Sequence, residues 1–216
     1  MKILGLTGSI AMGKSTAAAM LIGLGVPVHD ADAAVHRLMG PGGAALPPIA
    51  AAFPGCVGDA GVDRSALGQQ VFGDRARLTR LEAILHPLVR AETRTWLACQ
   101  ARRRVPIVVL DIPLLYEAGR QAACDAVAVV SAPAWLQRQR VLRRPGMTDA
   151  KLAAILARQV PDAVKRRRAD FVIPTGLGKA VTQRALSAML TTSDAWPAQA
   201  WSPSVYREGA HARNRA

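Results

Sequence analysis

Near its start the chain runs Ile3-Leu4-Gly5-Leu6-Thr7-Gly8-Ser9-Ile10-Ala11-Met12-Gly13-Lys14-Ser15-Thr16. An apolar run opens this segment, two glycines bracket its middle, and an uncharged stretch rich in Ala, Met and Leu carries on to Leu24. The opening predicts a short buried strand and the continuation a buried helix. A tight turn between the two aims successive backbone N–H groups at one point, beside the positive end of the helix dipole. Gly8 and Gly13 permit backbone conformations that a Cβ hinders. Gly8 to Ser15 also fits the G-x4-G-K-[ST] spacing, a cradle for a di- or triphosphate. The expected cradle comprises Gly8, Ala11, Met12, Gly13, Lys14, Ser15 and Thr16. Lys14 is expected to span the β- and γ-phosphates and the Ser15 hydroxyl to ligate Mg²⁺. The competing reading, a chance Gly-rich turn before a lysine, does not account for the strand-to-helix setting. Ala11 stands where many such loops carry a further glycine, so its backbone has to reach phosphate despite a methyl group.

At 216 residues, 50% of them hydrophobic, the chain is long enough for one α/β domain with inserted subdomains. No stretch reaches the roughly 18 to 20 apolar residues that span a bilayer. Lys14 interrupts the apolar start before it resembles a signal peptide. The expectation is a soluble cytoplasmic protein without a membrane partner. Cys56, Cys99 and Cys124 are widely spaced, with no CxxC, and read as buried thiols. The formal charge of +13 comes from arginines spread over helical segments, and aromatics make up only 4%. That pattern argues against a nucleic-acid interface and fits either plain composition or attraction for polyanionic small molecules.

Further along, Val26 to Asp32 predicts a second short strand ending in the carboxylates Asp30 and Asp32. Strand ends are where a parallel sheet places its ligands. Gly40 to Pro48 and Pro54 to Asp63 are rich in turn residues. Arg64 to Arg104 reads as helical, with Pro87 as its one breaker. Ile107 to Leu110 and Ala126 to Val130 are uninterrupted apolar runs, suited to central strands covered on both faces. Trp135 to Arg144 and Asp149 to Arg168 form two Arg-rich helical stretches separated by Pro145-Gly146, a candidate mobile lid. Phe171 to Ile173 is a last strand and Lys179 to Leu190 a closing helix. From Thr191 onward apolar periodicity is missing, and a loosely ordered tail is expected, with Trp196 and Trp201 as candidates for local docking. The alternation of strands and helices implies a three-layer α/β fold with a parallel sheet between helices, the P-loop NTPase architecture. Its core is placed at about 1–39 and 105–190, a helical insertion at about 40–104, the Arg-bearing lid at about 138–168, and the tail at 191–216.

A phosphate loop does not by itself separate a kinase from a GTPase or a motor. The chain has no Asn-Lys-x-Asp segment of the kind that reads guanine, and its size suits a small-metabolite kinase. Taken in order, several segments resemble the dephospho-coenzyme A kinase family. Gly5-Leu6-Thr7-Gly8 leads into Gly13-Lys14-Ser15-Thr16; Asp30-Ala31-Asp32 is followed by His36; Arg64, Leu67 and Val71-Phe72 precede Leu85-His86-Pro87. Pro113-Leu114-Leu115-Tyr116-Glu117 comes next, then Gln137, Arg140, Arg144, Gln159 and Ala169-Asp170. The resemblance covers about Ile3 to Gly178. It departs from the family at Gly8-Ser9-Ile10-Ala11-Met12-Gly13, where the outer glycines remain, and at Pro174-Thr175, where the family usually has Asn. Thr175, or a backbone contact beside it, is then expected to hold the adenine.

The resemblance implies a phosphotransferase with an alcohol acceptor, which uses ATP and Mg²⁺ to phosphorylate the ribose 3′-hydroxyl of dephospho-CoA. Asp32 is implied as the base that takes the hydroxyl proton, against the plainer role of a helix N-cap; Asp30 can be structural while Asp32 is catalytic. Arg140 and Arg144, four apart, are expected on one helical face as a phosphoryl clamp, with Arg138 and Arg143 left to a solvated basic face. Asp111 either orients Mg²⁺ through water or caps a loop. Arg64 is matched to the pyrophosphate or pantetheine arm of the substrate, or to an exposed salt bridge, His86 to packing or to the substrate side, and Leu114 to the substrate side; the resemblance makes the helical insertion at about 40–104 substrate-binding. The alternatives are a nucleoside monophosphate kinase and a non-catalytic ATP-binding regulatory protein. A monomer is the favoured state.

Overall fold

In the computed structural model, which describes residues 1–198 and Trp201, the apolar runs become the strands of one sheet. The first part of the chain forms β1 (Lys2–Thr7), α1 (Lys14–Gly23), β2 (Val28–Asp30), α2 (Ala31–Met39) and α3 (Leu46–Ala52). A hairpin of β3 (Val57–Gly58) and β4 (Gly61–Val62) leads to α4 (Arg64–Val71) and the long α5 (Arg75–Arg102). The remainder forms β5 (Ile107–Asp111), β6 (Ala126–Ser131), α6 (Ala134–Leu142), α7 (Asp149–Leu156), α8 (Asp162–Arg168), β7 (Phe171–Pro174) and α9 (Lys179–Thr191).

The main sheet has five strands in the order β2-β5-β1-β6-β7. β1 pairs in parallel with β5, Leu4 opposite Val109, and with β6, Leu4 opposite Ala126; β6 in turn pairs in parallel with β7. Successive side chains of a strand face opposite sides of a sheet, and here both sides are covered. Ala128 and Val130 of β6 pack with Ala17 and Leu21 of α1 and Leu186 and Met189 of α9. Val127 and Val129 pack on the other side with Leu115, Tyr116, Val160 and Ala169. Strand order reverses at β1, so the loop that follows β1 leaves the sheet at its switch point, where such sheets bind ligands.

The chain divides into two units, Met1–His29 with everything from Gln100 onward, and Asp30–Cys99. The division falls about ten residues before the expected start of the insertion near residue 40. The cause is α2, whose Leu38 and Met39 pack with Ile49, Phe53 and Leu67 of the second unit.

Several elements differ from expectation. The helical region from Arg64 breaks at Phe72 to Asp74, where the Asp74 carboxylate accepts the Arg77 N–H (3.0 Å) and opens α5 as an N-cap would. Pro87, expected to break it, lies inside continuous α5. Pro87 and Ala83, one turn earlier, are both exposed, so the carbonyl that loses its partner is on the solvated side of the helix. The turn-rich segment from Pro54 to Asp63 carries the small hairpin, and Pro47 and Pro48 sit in the first turn of α3, where a missing N–H costs nothing. Asp149 to Arg168 is two helices, divided ahead of Pro161. Within the expected tail, Thr191, Thr192, Asp194 and Ala195 are exposed while Trp196, a candidate for local docking, is buried with its ring 5.3 Å from that of Phe171. The Lys2 ammonium donates to the carbonyls of Ser193 and Asp194. Trp201 is half-buried, and the rest of the expected tail, 199–200 and 202–216, lies outside the described residues.

Candidate active site

Helix α1 starts without a side-chain cap: its N-cap is Gly13, in the left-handed conformation at φ 90°. α2, α4 and α7, by contrast, are capped by Asp30, Asp63 and Thr148. The first amides of α1, those of Lys14, Ser15 and Thr16, therefore have no side-chain acceptor, the arrangement that receives a phosphate. A Cβ on Gly13 would lie 3.1 Å from Cβ of Thr175, and one on Gly8 would lie 2.3 Å from Val130 Cγ2. Ala11 adopts φ 58°, a left-handed conformation that costs an alanine roughly 1–2 kcal/mol. The methyl group is thus accommodated by strain that the neighbouring contacts hold in place.

Those contacts come from several directions. Gln137 of α6, itself buried, donates from Nε2 to the Ile10 carbonyl (2.8 Å). Gln159, between α7 and α8, accepts the Ile10 N–H on Oε1 (3.1 Å). Both polar groups of one peptide residue in the loop are held by glutamines from distant parts of the chain. Arg140 donates to the carbonyls of Ala11 (3.3 Å) and Thr175 (2.7 Å). The Thr175 hydroxyl lies 2.6 Å from the Met12 carbonyl and 3.1 Å from that of Ser131. Met12 Sδ accepts the Ala132 N–H (3.1 Å).

Lys14 reaches Asp111 at the end of β5, Nζ to Oδ1 2.7 Å, with the Asp111 side chain 4% exposed. The Lys14 ammonium is thus held by a carboxylate at the end of the strand that neighbours β1. Ser15, on the exposed first turn of α1, and Asp111 both offer oxygen donors, which suit a hard cation. Among the described residues no group of three or more His, Cys, Asp and Glu is arranged to hold a metal.

Of the residues singled out in the sequence, Ala11, Met12, Arg140 and Thr175 are joined by these hydrogen bonds, Gly8 and Gly13 leave no room for a Cβ beside Val130 and Thr175, and Lys14 pairs with Asp111. The Thr175 hydroxyl, on the carbonyls of Met12 and Ser131, ties the phosphate loop to the end of β6. Arg144 does not share a helical face with Arg140. α6 ends at Leu142, and Arg144 lies in the following turn, its N–H on the Val141 carbonyl (2.9 Å), because Pro145 disfavours continued helix at the residue before it. Arg138 pairs through two 2.7 Å hydrogen bonds with Asp149, and these hold the Asp149 carboxyl below its ordinary range.

The second unit carries the other candidates. Asp30 takes the N-cap of α2, accepting from the amides of Asp32 (2.8 Å) and Ala33 (3.0 Å), which leaves the exposed Asp32 carboxylate out of the cap. Arg64 approaches His36, Nη1 to Nε2 2.8 Å, and lines an open pocket with Ser65, Gly68, Gln69 and Phe72, whose ring is 88% exposed. His86 is exposed on α5. Leu114, in the first unit, is 46% exposed. The loop-holding roles of Gln137 and Gln159 were not assigned from sequence; their one signal was membership in an ordered family pattern.

The family model described as Dephospho-CoA kinase matches residues 2–178. A protein from Paramagnetospirillum magneticum called dephospho-CoA kinase is 66% identical over 166 residues, 77% of this chain and 78% of that protein. One of the same name from Rhodospirillum rubrum is 60% identical over 191 residues, 88% of this chain and 90% of the other. Among solved structures, TT1252 from Thermus thermophilus superposes with a TM-score of 0.75 at 36% identity, covering 88% of this chain and 96% of that one. The loop and every residue that holds it fall within the matched span, and the chain belongs to the dephospho-CoA kinase family.

Proposed function

We propose that this kinase transfers the γ-phosphoryl group of ATP to the ribose 3′-hydroxyl of 3′-dephospho-CoA, giving CoA and ADP. The observation that carries the proposal is the loop itself: uncapped at α1, braced at Ile10 and Ala11, and supplied with a lysine directed by Asp111. Phosphoryl transfer asks little covalent work of a protein and depends on position and charge. The amides of Gly13 to Thr16 and the Lys14 ammonium hold the phosphates, with Lys14 exchanging one anionic partner, Asp111, for another. Ser15 and Asp111 are the protein oxygens that would hold Mg²⁺, which when bound neutralises charge on the phosphate oxygens. Arg140 keeps a second cation beside the loop while fixing the strained Ala11.

Asp32 takes the proton of the acceptor hydroxyl in this reading. Its support is local: the cap of α2 belongs to Asp30, so the Asp32 carboxylate, two residues past the end of a strand of the main sheet, is left out of the cap. Arg64, His86 and Leu114 are assigned to the acceptor side, with Arg64 offering a guanidinium to its phosphates.

The test is ADP release with ATP and Mg²⁺ in the presence of dephospho-CoA, AMP or dTMP, with CoA identified by mass. Turnover confined to dephospho-CoA is the expected result, and turnover with a monophosphate in its place would overturn the acceptor.

A further inference from the structure

The most unusual buried group outside the loop is Lys165 of α8, which is 0% exposed. Its Nζ lies 2.8 Å from Glu117 Oε1, in the segment after β5, with the geometry of an ion pair rather than of a well-aligned hydrogen bond. That same Glu117 oxygen accepts the Val160 N–H at 2.8 Å. Val160 follows Gln159, whose Oε1 accepts the Ile10 N–H of the phosphate loop at 3.1 Å. Glu117 Oε2 and Asp162 Oδ1 are buried without a hydrogen-bond partner, while Asp162 Oδ2 accepts from Ser131 Oγ (2.7 Å) at the end of β6.

We propose that Glu117 and Lys165 form a positioning pair for the phosphate loop, acting through Val160 and Gln159 on the Ile10 amide. The inference rests on the loop being a nucleotide site. A buried ion pair is a poor source of stability, since an apolar pair of similar volume is often as good or better. What it supplies is direction. Residues 157–161 between α7 and α8 belong to no helix or strand, so nothing periodic fixes where Gln159 points. Glu117 holds the adjoining amide, and Lys165 fixes which Glu117 oxygen is presented. Ser131, through Asp162, pins the start of α8 to the sheet. Burial alone would raise the Glu117 carboxyl, but the Lys165 ammonium and the amides of Glu117 and Val160 bring it below its ordinary range, so it stays ionised as the arrangement requires. With Gln159 on the N–H and Gln137 on the carbonyl, the Ile10 peptide units are fixed beside a residue, Ala11, in a strained conformation.

The experiment measures equilibrium binding of ATP with Mg²⁺, with no acceptor present, to wild type, Gln159→Ala, the apolar replacement Glu117→Leu/Lys165→Met, and the combination of all three substitutions. Removing one side of a single directed contact is expected to weaken ATP binding roughly three- to tenfold. The pair replacement should match Gln159→Ala, and the combination should be no weaker than either, because both act through one contact. A folded pair variant that binds ATP as wild type does, or whose loss adds in full to that of Gln159→Ala, overturns the proposal. Should the apolar pair not fold, the neutral isosteric Glu117→Gln/Lys165→Met is read by hydrogen exchange at the Ile10 amide: faster exchange than wild type supports the link, and unchanged exchange overturns it. Failure of the wild type to bind ATP would count against the nucleotide site itself and is separate from these outcomes.

Discussion

A methyl group on residue 8 would sit 2.3 Å from Val130 Cγ2 and 2.9 Å from the Val130 carbonyl oxygen, and the second of these cannot rotate away. Gly8→Ala is therefore expected to lower stability by about 1–3 kcal/mol in urea unfolding and to weaken ATP binding, since relief requires the loop to leave β6. A wild-type midpoint would show that β6 yields instead. Tyr116 is the opposite case, a group whose removal should help. It is 8% exposed, and its hydroxyl has no hydrogen-bond partner. Burial, with the nearby Asp170 charge, pushes it up from 10.0 to about 12. A raised acid of this kind contributes stability that is complete below the unfolded value of 10.0 and is lost as pH climbs toward about 12. Tyr116→Phe is expected to be neutral or stabilising by up to about 1 kcal/mol at neutral pH and to flatten the alkaline limb of stability above pH 10. Cys124, which burial also pushes up to about 12, from 9.0, remains in the variant, so part of the limb should survive. An alkaline limb unchanged by the substitution would rule Tyr116 out as its source. At this scale the sequence was most readable where geometry leaves few choices: Gly8 and Gly13 sit where a Cβ would collide or strain the backbone. Gln137 and Gln159 were hidden because a glutamine on an Arg-rich stretch looks like solvated surface, and only the folded chain brings both onto Ile10.

Helix α2 shows how an element separates two acids that the sequence presents as a pair. The Asp30 carboxylate satisfies two of the orphan amides of α2, whereas Asp32, already inside the helix, lies near its positive end and caps nothing. Asp30→Ala should thus cost about 1 kcal/mol of stability, read in thermal unfolding. Asp32→Asn should keep the melting temperature and lose turnover by roughly 10²–10⁴, the usual worth of a general base. Equal losses of stability in the two variants, with turnover retained in Asp32→Asn, would return Asp32 to a structural role. Element boundaries were the least legible part of the sequence, for identifiable reasons. Pro87 reads as a stop, yet a proline on the exposed side of a long helix forfeits one hydrogen bond that solvent can replace. The i,i+4 spacing of Arg140 and Arg144 implies a shared face only if the helix continues, and it stops at Leu142. The division ahead of Pro161 matters more than its length suggests, because it creates the non-helical segment that carries Gln159 to the loop.

At the scale of the molecule, the strands were legible because parallel strands buried on both faces need unbroken apolar runs, and β1, β5 and β6 supply them. What the runs do not encode is how the segment after α9 returns to the start of β1. Lys2 at the start of β1 donates to carbonyls of residues 193 and 194, and Trp196 covers the core beside Phe171 of β7. The segment carries no apolar periodicity because one side chain does the work. Trp196 is 7% exposed, its ring tilted 44° to that of Phe171, with the indole N–H on the Thr192 hydroxyl at 3.3 Å. Replacing it removes a large buried surface under which Phe171, Leu186 and Met189 cannot close up without moving β7 or α9. Trp196→Ala is expected to cost about 3–5 kcal/mol in urea unfolding, a large share of the margin of a domain this size. Lys2→Ala, which gives up contacts at the surface, should cost well under that. ATP affinity of the folded Trp196→Ala protein should match the wild type, since the side chains that hydrogen-bond the loop are those of Gln137, Gln159, Arg140 and Thr175, while the indole N–H is on Thr192. A loss below about 1 kcal/mol would mean that the closing segment rests on the core without supporting it.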